Sequence, residues 1–179
     1  MKVLKFGGTS VATSESLSNV IKIVKNQKSA VAVVVSAFRG VTDLLIEMLS
    51  LAQSGNEKYK DSLSKVEKLH IDIIKKFIPI KHQSAIISFL KKNTNELESR
   101  LDAIHLLEEA TPKNNANIAS YGELLSSKII HGIFHYNEIE SELKDSRDII
   151  KTTLHNGVDI VNHQITEEKI KKFFSGKRS

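Results

Sequence analysis

Three short stretches hold residue types that could bind a charged small molecule. The first is Lys5-Phe6-Gly7-Gly8-Thr9-Ser10, the second Ser36-Ala37-Phe38-Arg39-Gly40-Val41-Thr42, and the third Ser120-Tyr121-Gly122-Glu123. Lys5 supplies a cation, Gly7 and Gly8 let backbone amides approach a ligand, and Thr9, Ser10, Ser36 and Thr42 supply hydroxyl donors. The lysine precedes the glycines, so this is not the usual phosphate loop, in which lysine follows a glycine-bracketed spacer. A lysine and open amides beside a turn still point to an anion. Glu123 adds a carboxylate able to face an ammonium group. The mixture suits a zwitterionic or phosphorylated small molecule. Singly, each piece is ordinary: paired glycines are common in turns, Ser and Thr after a strand often cap the next helix, and a helical Glu is usually solvated.

The elements that must position these residues follow from periodicity. "KVLKF" at residues 2–6 reads as a short strand, and "AVAVVVS" as a second, whose β-branched run is that of a strand covered on both faces. Between them Leu17, Val20, Ile21 and Val24 recur at helical spacing, with Ser14 or Thr13 as N-cap. This predicts a β-α-β unit, in which the carboxyl ends of both strands share one edge, so the first two stretches can meet in one crevice. From about residue 41 to 109 only helical periodicity is found. One helix ends at Gly55, a second runs from about Glu57 to Phe77 before Pro79, and a third from about His82 to Glu109, with room for an interruption near Asn93 to Asn95. Pro112 closes the segment, and the expectation is a helical excursion over about residues 44–110. "NNANIASYGELLSSKIIHGIFHYN" reads as one further helix with Ile118, Leu125, Ile129, Ile130 and Phe134 toward the core. A weakly alternating strand is expected around Ile139 to Leu143, an edge strand or extended segment in "VDIVNHQIT", and a capped amphipathic helix in "TEEKIKKFF".

Composition narrows the function classes. The chain has 179 residues, 40% hydrophobic and 26% charged, ordinary for a globular fold with one substantial core. It has no cysteine, which removes disulfides, thiolate catalysis and cysteine-ligated zinc. The longest clean apolar run, residues 30–35, is too short for a bilayer, and "MKVLKFGG" is interrupted before any signal-peptide core. A soluble, cytoplasmic protein with no membrane partner is expected. The net charge of +5 raises nucleic acid as a partner, but the lysines alternate with acids, and only the tail "KIKKFFSGKRS" concentrates charge. With no tryptophan and 6% aromatic residues a base-stacking platform is poorly supplied, so no nucleic acid is expected. His131 and His135 share a helix face, yet Gly132 stands where a metalloprotease helix needs glutamate, and no third ligand suggests itself. No protein metal site is assigned.

"KVLKFGGTSV", then "VVVSAFRGVTDLL", then "SYGELLSS", in that order and with a long helical insertion before the third, resembles the N-terminal half of the aspartokinases, in the amino acid kinase family. "DSRDIIKT" resembles the segment that follows, and the likeness runs from Lys2 into the 160s. It implies an α/β, amino acid kinase-like N-terminal lobe with a short parallel sheet flanked by helices. It also implies transfer of the ATP γ-phosphoryl group to the side-chain carboxylate of L-aspartate, at the head of lysine, threonine and methionine synthesis. By the resemblance, Lys5 is the catalytic lysine that steadies the transferring phosphoryl group. Gly7, Gly8, Thr9 and Ser10 belong to the phosphate turn. Ser36, Thr42 and Glu123 bind aspartate, Glu123 facing its ammonium, and magnesium arrives with ATP. Such a site works by positioning and charge compensation without a covalent nucleophile.

The family's glycine-phenylalanine segment and its R-G-G-S-D type motif are absent from the 179 residues, and beyond Gly157 the only glycine is Gly176. The expectation is therefore an amino-acid-binding lobe over residues 1–179, without the nucleotide-binding half and the regulatory domains, inactive alone, whose full-length parent is a homo-oligomer that binds ATP mainly through the other half. Kinases of glutamate or acetylglutamate are the nearest alternative, and a non-catalytic amino-acid-binding module is the alternative of another class.

Overall fold

The computed structural model describes residues 1–155 and 158–175. It opens with strand β1 (Lys2–Phe6), helix α1 (Ser14–Lys25) and strand β2 (Val31–Val35), and β1 pairs with β2 in parallel, Lys2 opposite Val31 and Phe6 opposite Val35. Helix α1 starts where chain chemistry requires it. The Thr13 hydroxyl accepts from the Ser16 amide at 3.1 Å, and the Ser16 hydroxyl accepts from the Thr13 amide at 2.9 Å, a reciprocal cap for amides that have no helical partner. Its buried residues are Leu17, Val20, Ile21 and Val24, the stripe the spacing predicts.

From Val41 to Leu107 every regular element is helical: α2 (Val41–Gln53), α3 (Tyr59–Phe77), a single 3-10 turn at Ile80–His82, and α4 (Ser84–Leu107). Gly55 takes a left-handed φ of 66° just past α2, a conformation that glycine adopts at low cost. The long helices α2, α3 and α4 pack on one another and on α6 (Tyr121–Tyr136). Their shared core holds Leu45 and Met48, Val66 and Ile74, Leu90 and Leu101, and Leu125 and Ile129, all nearly or fully removed from water. Each such side chain contributes on the order of 2 kcal/mol by burial, so the helical layer is the main source of cohesion for the lobe.

Several local expectations are corrected. Helix α4 runs through Asn93 to Asn95 without interruption, because Asn93 satisfies its own amide on the Phe89 carbonyl at 2.8 Å and Thr94 bonds the Lys91 carbonyl at 3.1 Å. Pro112 opens α5 (Pro112–Ala119) rather than only closing what precedes it: at the first helical position a missing N–H costs nothing, and the Thr111 hydroxyl caps the Asn114 amide. The single helix expected after it is two, α5 and α6, parted at Ser120. No strand forms at Ile139 to Leu143. Helix α6 ends at Tyr136, Glu138 just beyond its cap takes a left-handed φ of 59°, Ile139 folds back to bond the Phe134 carbonyl at 2.9 Å, and among the described residues no strand pairs with the segment.

A short helix α7 (Ser146–Ile149) leads into a hairpin that the sequence reading did not anticipate in full, β3 (Thr152–His155) antiparallel to β4 (Val158–Val161), followed by α8 (His163–Phe174). The cap of α8 is Asn162, whose Oδ1 accepts from the Ile165 amide at 3.0 Å. Thr166 is instead buried inside the helix and accepts from the Lys151 amide. The last four residues of the basic tail, 176–179, lie outside the described residues.

The sheet itself is thinner than the β-branched run of β2 implies. It has two strands among the described residues, and Val34 is 48% exposed, so one face of β2 is open rather than covered. A run of valines marks a strand, but which faces become covered depends on what packs there. Among the described residues no helix is long and apolar enough to cross a membrane.

Candidate functional site

The parallel pairing of β1 with β2 brings the first two stretches side by side. The Ser36 amide extends the ladder by donating to the Phe6 carbonyl at 3.0 Å, immediately before Gly7. The chain then turns sharply, the Ser10 amide donating to the Gly7 carbonyl at 2.9 Å, and Gly8 passes alongside the Ala37 carbonyl. Phe6 is buried in the core, so Lys5, one residue earlier on an alternating strand, points from the opposite face and is exposed.

Helix α6 delivers the third stretch to the same place. The Glu123 carboxylate accepts from the Ala37 amide at 3.4 Å, and the Ser126 hydroxyl, one turn later on the same face, donates to the Ser36 carbonyl at 2.9 Å. Gly122 lies against Ala37, Val41 and Leu45. Residues separated by more than eighty positions in the chain are thus held together by two hydrogen bonds and one close packing contact.

The hydroxyls at this junction are not spent on helix caps. Helix α2 begins after Gly40, whose φ is 81°, and no side chain caps it, so neither Ser36 nor Thr42 spends its hydroxyl as a helix cap. Among the described residues the side chains of Lys5, Thr9, Ser10, Ser36 and Thr42 make no hydrogen bond or ion pair. The joined stretches therefore carry one anchored carboxylate, a turn of open backbone, a cation and four unengaged hydroxyls, groups of the kind that bind a zwitterion or an anion.

Behind the site a polar network locks α6 to α4. Tyr121 is buried, and its hydroxyl accepts from Arg100 Nε at 3.2 Å, while Arg100 Nη2 pairs with Glu96 at 2.8 Å. Burial raises the Tyr121 pKa, and the Arg100 guanidinium holds the Glu96 carboxyl below its usual range. Ser126 and Arg100 had no role in the sequence reading. Ser126 lies within "SYGELLSS", three residues past the third stretch, but no local signal tied Arg100 to it. Asp145 and Arg147 form a local structure: Asp145 caps the Arg147 amide at 2.9 Å and pairs with its guanidinium at 2.6 Å, which lowers the Asp145 pKa. His131 bonds the Ser141 carbonyl at 3.1 Å, and with His82 and His135 it borders an apolar recess of about 650 Å³. No group of three or more histidine, cysteine or acidic residues among the described residues could hold a metal ion.

The chain matches the model of the amino acid kinase family over residues 1–178. It is 30% identical over 176 residues to the chloroplastic bifunctional aspartokinase/homoserine dehydrogenase 2 of Arabidopsis thaliana, an alignment covering 97% of this chain and 19% of that protein. It is 33% identical over 150 residues to the aspartokinase of Chlamydia muridarum, covering 84% of this chain and 31% of that one. Among solved structures it resembles Escherichia coli aspartokinase III in complex with lysine and aspartate, with a TM-score of 0.86 at 22% identity over 99% of this chain and 38% of that one. The same enzyme in complex with aspartate and ADP gives a TM-score of 0.84. The chain spans about a fifth of the plant relatives it matches and 38% of these solved chains. With a β-α-β opening, a glycine turn at the strand end and a family match from end to end, the chain belongs to the amino acid kinase family.

Proposed function

We propose that this chain carries the amino-acid-binding lobe of an aspartate kinase, which converts ATP and L-aspartate to 4-phospho-L-aspartate and ADP. The observation that carries the reading is the Glu123 carboxylate anchored on the amide of Ala37, the residue after Ser36, where β2 ends alongside the Gly7–Gly8 turn. Similarity to aspartokinases supports the choice of substrate.

In this reading Glu123 faces the substrate ammonium, and Ser36 and Thr42 donate to its carboxylate oxygens. A side-chain carboxylate oxygen of aspartate attacks the γ-phosphorus, the bond from that phosphorus to the bridging oxygen breaks, and ADP leaves with the electron pair. Lys5 and the amides at Gly7, Gly8, Thr9 and Ser10 compensate charge on the transferring group, which is what a loose phosphoryl transition state demands of a protein. The described residues gather no carboxylate cluster for magnesium, so the ion is assigned to the phosphates of ATP and no step is drawn through it. The same reading includes a place at the head of lysine, threonine and methionine synthesis, a cytoplasmic homo-oligomeric parent, and a nucleotide bound mainly by residues beyond this lobe.

Calorimetric titration of the chain with aspartate, glutamate and acetylglutamate tests it. Aspartate is expected to bind most tightly, and Glu123→Gln to cost about 1.5–3 kcal/mol, roughly ten- to a hundredfold in affinity. Preference for acetylglutamate, which has no free ammonium, would overturn the assignment of Glu123. Binding of an oligonucleotide more tightly than aspartate would overturn the small-molecule reading altogether.

A further inference from the structure

We propose that Gly122 is a positioning residue: its missing side chain sets how closely α6 approaches the end of β2, and so holds the Glu123 carboxylate over the Ala37 amide. For its bearing on substrate this rests on Glu123 as the ammonium partner; the packing itself does not.

Gly122 sits in the first turn of α6, and no left-handed backbone angle requires a glycine there. In a helix glycine is less favourable than alanine. On backbone grounds alone Gly122→Ala should therefore stabilise the protein. Packing says the opposite. A Cβ on Gly122 would lie 2.7 Å from the Ala37 Cβ, 3.4 Å from Leu45 Cδ1 and 3.6 Å from Val41 Cγ1. Carbon atoms rest about 3.5–4.0 Å apart, so the Ala37 contact is short by about an ångström.

Nothing nearby can yield cheaply. The Ala37 methyl has no rotamer to change, Ala37 is 4% exposed, and Val41 and Leu45 are fully buried. The preceding Ser36 amide is tied into the ladder on Phe6. Gly132 makes the contrast: a Cβ there would strike Ile86 Cδ1, the far end of a flexible side chain that can swing away. Relief at Gly122 must come from α6 backing off the junction. Glu123 and Ser126 ride on that helix, and the Glu123 contact of 3.4 Å is already near the limit for a hydrogen bond, so it is the first to break.

The test is a double-mutant cycle in the 179-residue chain: Gly122→Ala, Ala37→Gly, and both. Hydrogen exchange of the residue 37 amide is read by NMR, aspartate affinity by calorimetry, and folding by circular dichroism. Gly122→Ala is expected to speed exchange at residue 37 and to weaken aspartate binding, each by about tenfold. The double variant, which removes the opposing methyl, is expected to return both readouts to within about twofold of Ala37→Gly alone. Unchanged exchange in Gly122→Ala, or a double variant as impaired as Gly122→Ala, overturns the proposal. Should Gly122→Ala fail to fold, a folded double variant with a protected residue 37 amide supports it, and an unfolded one overturns it. If the exchange pattern holds while the unmutated chain binds no aspartate, the substrate reading of Glu123 fails and the packing role of Gly122 stands.

Discussion

His70 of α3 is fully buried, and its ring leans on Phe38 of the β2–α2 connection with centroids 5.4 Å apart. Nδ1 meets the Val66 carbonyl at 2.6 Å, whereas Nε2 is buried with no partner among the described residues. Burial disfavours the charged ring and takes its pKa from 6.5 to about 4, against a smaller upward pull from the Val66 carbonyl. The sign follows directly. The unfolded chain binds the proton more readily than the folded one, so the stability associated with neutral His70 is present above about pH 6.5 and is lost as pH falls toward 4. At about 1.4 kcal/mol per pH unit the whole effect is roughly 3 kcal/mol, of which roughly 2 kcal/mol should disappear between pH 7 and pH 5. His70→Gln keeps a group able to reach the Val66 carbonyl and cannot titrate. Urea unfolding of both proteins at pH 7, 6 and 5, followed by circular dichroism, is expected to show the unmutated chain losing that stability relative to the variant. Equal slopes for the two proteins, or an NMR titration placing His70 above pH 6.5, would refute the reasoning. Because Phe38 joins Ser36 to Thr42, the same acid loosening should reach the candidate site.

Other outcomes follow from single contacts. Tyr59 is buried and donates to Asp102 at 2.5 Å across α3 and α4; Tyr59→Phe is expected to leave Asp102 without its partner and lower stability by about 1–3 kcal/mol in thermal unfolding. Thr13→Ala removes the reciprocal cap of α1 and should cost about 1 kcal/mol, with Thr13→Ser nearly neutral. The 179 residues by themselves are expected to show no aspartate-dependent ADP release above a Lys5→Ala control. A site that cannot hold donor and acceptor in line forfeits much of a positioning contribution of about 7–11 kcal/mol. Robust release abolished by Lys5→Ala would show the nucleotide site to be misplaced.

Local chemistry alone determined much of this lobe. The strands at residues 2–6 and 31–35, the stripe of α1 and the long helices of the excursion follow from spacing that a chain of either period must bury on one face. Where local cues competed, the sequence misled. Asn93 and Thr94 look like breakers but bond back onto their own helix, and Pro112 serves an opening as readily as an ending. The β3–β4 hairpin had its signal in Asn156–Gly157, which lie outside the described residues, between two short runs whose alternation is weak. The three stretches of the candidate site were visible as residue types, and their order along the chain carried the family resemblance. The meeting of the first two followed from the predicted β-α-β unit, but the arrival of the third did not. Only the parallel register of β1 with β2 places Gly7 beside Ser36, and only the approach of α6, permitted by the absent Cβ of Gly122, sets Glu123 on the Ala37 amide. Contacts across eighty residues depend on how whole elements pack, and no local preference encodes that distance.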